Sequence, residues 1–213
     1  MKSRDGEVLD ARIEFRDSPP SRDDSVMMPT ARIVLLTAAC FAAVACTSTS
    51  SRVSKTYYII SGSTGADLDR EISTKGPLKG HALASAAIRF APVSLDHAET
   101  DAGCQFTAAR FRVEADITLP RWRQAIASSD RELKTAWKHL SAYAHAHEEM
   151  HVRIAETYAV KMGDALLAIP PKKTCEDLET VAERVIDKIQ KDHDRAQNRF
   201  DRAEQKRLDQ YFS

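Results

Sequence analysis

The sequence predicts an α+β domain, a small antiparallel β-sheet of about three strands with one short helix, followed by a long antiparallel helical hairpin. Three observations predict it. Short β-branched and alternating segments all fall before Pro120; no strand signal follows Pro120; and two long stretches with 3.6-residue periodicity flank Pro170-Pro171. Lys55 to Ser61 (KTYYIIS) is rich in β-branched and aromatic residues and stops at Gly62, so it reads as a strand. Thr64-Gly65-Ala66-Asp67 opens a short amphipathic helix over Leu68 to Ser73, which Gly76-Pro77 ends. Ala82 to Phe90 and Phe106 to Leu119 are two further strands. In the second, Phe111, Val113, Ala115 and Ile117 alternate with Arg110, Arg112, Glu114 and Asp116, the pattern of a sheet with one wet face. Ser128-Ser129-Asp130 caps a helix running from Arg131 to about Ala168, and a second begins near Cys175 and continues to about Tyr211. The short turn between them makes the pair antiparallel.

The 213 residues carry 31 Lys and Arg against 31 Asp and Glu, with 43% hydrophobic residues. That composition fits one globular domain with appendages and excludes a polytopic membrane protein. A balanced charge leaves no basic surplus for a phosphate backbone, so nucleic acid is not an expected partner.

The first part of the chain reads as an address. Residues 1–27 form a polar, charged leader without apolar periodicity, expected to be disordered, and translation is expected to start at Met27 or Met28. Residues 28–46 follow the order of a secretory signal: Arg32, then the small and apolar run Ile33 to Ala45, too short to span a bilayer. Ala43-Val44-Ala45-Cys46 resembles a bacterial lipobox, which makes Cys46 the candidate lipidation site. Residues 47–54 are a linker, and 55–213 the functional domain. The expected location is the bacterial cell envelope, periplasmic or lipid-anchored, or secretion, with membrane contact only through the N-terminal lipid. Cys104 and Cys175 remain in the exported chain, and an even pair there reads as one disulfide.

His147-Glu148-Glu149-Met150-His151 is an H-E-x-x-H motif inside the first long helix. Spacing of i, i+4 puts both imidazoles on one face a turn apart, the geometry in which two neutral nitrogens bind one Zn²⁺. Glu148 beside them has the position of a general base toward a zinc-activated water. An apolar stripe drawn through Leu140, Ala144, His147, His151, Ile154, Tyr158 and Met162 would put both histidines where core residues belong. His145 and Glu149 should face away, while Tyr143 and Trp137 read as core or rim.

These residues resemble the domain of unknown function 922 family, described as predicted secreted zinc-dependent proteases. The resemblance runs from about Tyr57 to Asp201 and includes Tyr57-Tyr58, Ser61-Gly62-Ser63-Thr64, Lys75-Gly76-Pro77, Cys104, Leu119-Pro120-Arg121-Trp122, Trp137, the H-E-x-x-H, Cys175-Glu176-Asp177-Leu178 and Phe200-Asp201. It implies an exported metallopeptidase-like domain. Family members commonly continue after the aromatic-Asp pair with T-x-H-G, a third histidine; here Lys206 stands at that place.

A catalytic zinc needs a third protein ligand. Glu204 holds the threonine position of the family pattern, one turn after Asp201, and is the first choice. A hairpin turning between about Ala168 and Glu176, rising about 1.5 Å per residue, would set His147 and His151 opposite roughly His193 to Gln197. That favours His193, and Asp201 is the other alternative.

The sequence thus predicts an exported zinc metallopeptidase acting on a peptide or protein substrate, with Zn²⁺ as cofactor, His147 and His151 as ligands and Glu148 as general base. The rival is a non-catalytic cell-envelope binding or scaffold lipoprotein with a structural or vestigial metal site.

Overall fold

The computed structural model describes Arg16–Asp17 and residues 51–212. Apart from Arg16–Asp17, the leader and the signal segment with Cys46 lie outside the described residues. In chain order the elements are β1 (Arg16–Asp17), β2 (Arg52–Ile60), α1 (Gly65–Lys75), α2 (Pro77–Gly80), β3 (Ser85–Thr100), β4 (Gly103–Trp122), α3 (Arg131–Leu167) and α4 (Cys175–Phe212). The class is α+β, as predicted. Among the described residues no helix is long and apolar enough to cross a membrane.

The strands lie in the order β1-β3-β4-β2. β3 and β4 form a long antiparallel hairpin, whereas β2 runs parallel to β4 from Arg52↔Glu114 to Ile60↔Trp122, so the sheet is mixed rather than antiparallel throughout. The cause is the crossover. Both the end of β2 (Tyr58↔Pro120) and the start of β3 (Ser85↔Thr118) lie beside the end of β4, and α1 with α2 carries the chain across that end. Thr64 and Asp67 start α1 with a reciprocal capping box. The Tyr58 hydroxyl donates to the Leu83 carbonyl at 2.7 Å, tying the crossover back to the sheet.

β3 runs ten residues beyond its predicted end at Phe90. Register shifts between Pro92 and Ser94 and between Asp96 and His97 break the period-2 pattern there. In β4 the alternation holds: Phe111, Val113, Ala115 and Ile117 are buried, and the opposite face carries Arg89–Asp116 at 3.3 Å and Arg112–Glu114 at 3.0 Å.

Asp130 caps α3 by accepting from the Leu133 amide at 2.9 Å. The buried stripe of α3 is Ala144, Glu148, Val152, Ala155, Ala159, Met162, Gly163 and Leu166. It is rotated from the expected stripe, so the two motif histidines sit beside it and Glu148 within it. Small residues explain the rotation, because they let the helix lie close on β4; a Cβ on Gly163 would come within 2.5 Å of the Ala109 carbonyl oxygen.

The predicted disulfide Cys104–Cys175 is formed, with Cα atoms 5.1 Å apart. Beside it Cys104 and Lys172 exchange two backbone hydrogen bonds of 2.8 Å. Gly103, at φ +114°, turns the β-hairpin there, and a Cβ would meet the Lys172 carbonyl oxygen at 2.2 Å. The tip of the β-hairpin is thereby stapled to the turn of the helical hairpin. A second small core of Ile60, Leu68 and Trp122, with Tyr58 and Trp137 against it, holds α1 and the start of α3 to the sheet.

Candidate metal centre

The core-facing stripe of α3 and the face turned to α4 meet along the edge that bears His147, Glu148 and His151. The antiparallel partner supplies a matching series at four-residue spacing: His193, Gln197 and Asp201. His151 lies opposite Gln197, and His147 opposite Asp201. That register places the motif about one helical turn further along α4 than rise-per-residue bookkeeping from the turn suggests.

The two Nε2 atoms of His147 and His151 are 3.1 Å apart, and Asp201 Oδ1 lies 3.5 Å from the first and 3.0 Å from the second. These three donors all lie within 4.8 Å of one another. Ligands held at about 2.0–2.1 Å in a tetrahedron are roughly 3.3 Å apart, so the spacing fits one small divalent cation. His147 Nδ1 is buried with no hydrogen-bond partner, so whatever that ring does is done through Nε2. Phe200 packs its ring on both imidazoles, at 4.9 and 5.1 Å between centroids, and limits how far either can swing.

Burial holds His147 below the usual histidine pKa, and the neighbouring His151 adds to that effect, while Asp201 and Glu204 oppose it. The ring is thus kept neutral, the state in which nitrogen carries a lone pair for a metal. Glu148 is 5% exposed. Desolvation pushes its carboxyl up to about 7, with His151 pulling down and Asp201 pushing up. A carboxyl poised near neutrality beside a cleft is suited to taking and returning a proton. The cleft, of about 590 Å³, lies between the start of β3 and the two long helices, with Ala86 and Ile88 on one wall and Tyr143, Glu148 and Asp201 on the other.

Other predicted residues fall differently. Glu204 does not join the donor group: its carboxylate accepts from the Tyr143 hydroxyl at 3.4 Å and from Arg207 at 2.7 Å. His193 is buried against Phe90 and Tyr158. Its Nε2 meets the Gln197 amide at 2.7 Å and its Nδ1 meets Asp194 at 3.1 Å. His145 turns toward Tyr57, and Glu149 pairs with Lys55 at 3.0 Å, both away from the site. Lys206 is exposed. A second group of donor-type side chains, His97, Cys104 and Cys175, has its two sulfurs bonded to each other.

Gln197 and Phe200 escape a reading based on titratable residues. The four-residue series His193, Gln197, Asp201 on α4, matching His147 and His151 on α3, is the signal that carries Gln197.

The family model described as "Bacterial protein of unknown function (DUF922)" matches residues 55–207. No curated protein and no solved structure matches the chain.

Proposed function

The chain belongs to the DUF922 family of bacterial proteins of unknown function, and from its own site we propose that it is an exported zinc-dependent metallopeptidase. The observation that carries this reading is the convergence of His147 Nε2, His151 Nε2 and Asp201 Oδ1 beside the buried carboxyl of Glu148. His147, His151 and Asp201 would hold the ion. Three protein donors would leave a four-coordinate cation one position for water or substrate, which is what catalytic rather than structural zinc needs. When bound, zinc supplies a Lewis acid that polarises a carbonyl oxygen and acidifies water.

The chain's own groups do the rest. The cleft between β3 and the helices takes an extended peptide segment. Glu148 accepts the proton of the attacking water as its oxygen bonds to the carbonyl carbon, then delivers that proton to the amide nitrogen as the C–N bond breaks. Burial of Glu148 keeps this proton transfer away from bulk water. The segment over residues 28–46, with its Arg, apolar run and Cys46, supports export to the cell envelope, released or lipid-anchored.

The test measures zinc content and hydrolysis of a peptide library for wild type, His147→Ala and Glu148→Gln. About one zinc per chain in wild type and Glu148→Gln, its loss in His147→Ala, and a fall in hydrolysis of about 10²–10⁴-fold in Glu148→Gln are expected. Hydrolysis unchanged by Glu148→Gln sinks the proposal. Lys206, standing where family members carry a histidine, favours the second reading, a binding or scaffold lipoprotein; zinc held without any hydrolysis would establish it.

A further inference from the structure

Gln197 makes three contacts that account for the polar atoms of its side chain, and its neighbour His193 adds a fourth to the series. Its Oε1 lies 2.6 Å from His151 Nδ1. Its amide nitrogen donates to the His151 backbone carbonyl at 3.0 Å and meets His193 Nε2 at 2.7 Å. The fourth is carried by the neighbour: His193 Nδ1 lies 3.1 Å from Asp194 Oδ1. Only one assignment of protons satisfies the series. A carboxylate accepts, so His193 Nδ1 carries the hydrogen and His193 Nε2 is a bare acceptor. The Gln197 amide then spends one hydrogen on His193 and the other on the His151 carbonyl. Its oxygen is left as an acceptor, and His151 Nδ1 must donate to it.

We propose that Gln197 is a positioning residue that holds His151 as the Nδ1–H tautomer, so that the Nε2 lone pair is aimed at His147 Nε2 and Asp201. The inference rests on the metal-site reading for its purpose, though not for its hydrogen bonds. Phe200 limits the swing of the His151 ring but places no proton, and a neutral imidazole has no preference of its own for the Nδ1–H form. The amide is in turn held from both sides, by a backbone carbonyl of α3 and by a buried imidazole 7% exposed. Contacts behind a metal-binding histidine fix its tautomer and tune its basicity. His147 offers the control within the same motif, since its Nδ1 is buried without a partner.

The experiment reads the tautomer directly, by long-range ¹H–¹⁵N correlation on the metal-free protein at pH 8, together with zinc affinity by competition with a chromophoric chelator. In wild type His151 is expected as Nδ1–H, and finding it as Nε2–H overturns the inference with no variant needed. Gln197→Met, which removes donor and acceptor, is expected to mix the tautomers and weaken zinc about 10–100-fold. Gln197→Glu keeps an acceptor for His151 Nδ1 but loses the donors to the His151 carbonyl and to His193, so it is expected to keep the Nδ1–H form with an affinity between those of Gln197→Met and wild type. Unchanged tautomer and affinity in Gln197→Met, or equal losses in Met and Glu, would make Gln197 a packing residue and overturn the proposal. Should Gln197→Met fail to fold, wild type and Gln197→Glu decide the matter. If wild type binds no zinc while His151 remains Nδ1–H, the metal reading falls and the tautomer assignment stands.

Discussion

The two ends of the helical hairpin are built on opposite plans. At the turn, Leu166 and Leu178 are fully buried, the Cys104–Cys175 bridge is formed, and Cys104 and Lys172 pair their backbones. Some five turns away the same helices face each other through His147, His151, Gln197 and Asp201, beside an open cleft. Apolar packing and a covalent bond fix the first end; polar groups with directional needs occupy the second. Polar groups at a partly buried helix interface are costly unless their partners stand at the right angle and distance. The closed end supplies that alignment by setting the register in which α4 passes α3.

The largest break in this contrast should come from removing the bridge. The bond closes a 71-residue separation, and in the chain-entropy model its loss costs roughly 4 kcal/mol. Denaturation of Cys104→Ser/Cys175→Ser, compared with wild type, checks this. Metal affinity in the folded fraction should change far less than stability, because the packing of Leu166 and Leu178 still sets the interhelical register once the chain has folded.

The open end predicts a pH dependence of opposite character. In the metal-free protein, burial raises Glu148 from its ordinary 4.5 to about 7. A raised pKa means that the folded state holds the proton more tightly than the unfolded state. The contribution is therefore complete below about pH 4.5 and is lost as pH rises through 7. The full difference is at most about 3 kcal/mol. Glu148→Gln should lack that decline and exceed wild type in stability at pH 8, as urea titrations at pH 5 and pH 8 would show. An equal response to pH in wild type and Glu148→Gln would remove the case for a desolvated Glu148.

Smaller changes sharpen the comparison along α3. Gly163→Ala forces a methyl toward the Ala109 carbonyl oxygen, and an over-packed contact of this kind costs about 1–3 kcal/mol. Thermal melting measures it, with a small effect on zinc affinity expected because Gly163 lies toward the closed end. Asp130→Ala removes the cap from the other terminus at about 1 kcal/mol. Hydrogen exchange in the first turns of α3 should rise while the amides near Leu166 stay protected.

Legibility in the sequence followed the same division. Alternation in β4 identifies its buried face because each strand residue must choose a side, and the Cys pair and the two periodic helices leave few other ways to assemble this end. The direction of β2 was not legible, since alternation reports faces and is silent on which neighbour a strand joins or how the chain returns. The buried stripe of α3 differs from the one periodicity predicts for a related reason. Alanine and glycine score weakly as core residues, yet here they make the close contact with β4, which turns His147 and His151 toward α4. Position in the family pattern favours Glu204 over Asp201. What separates them is the interhelical register, a property of the seven-residue turn and its bridge that periodicity within either helix does not encode.

The donors of the site come from two helices whose ligands lie far apart in the chain, His147 and His151 on one and Asp201 on the other. An ion shared among them would act as a reversible clasp on the end of the hairpin that the disulfide leaves free. By linkage, whatever pries the helices apart there must release the ion, and whatever holds the ion must resist the prying. Occupancy of the site would then report how firmly the free end is shut.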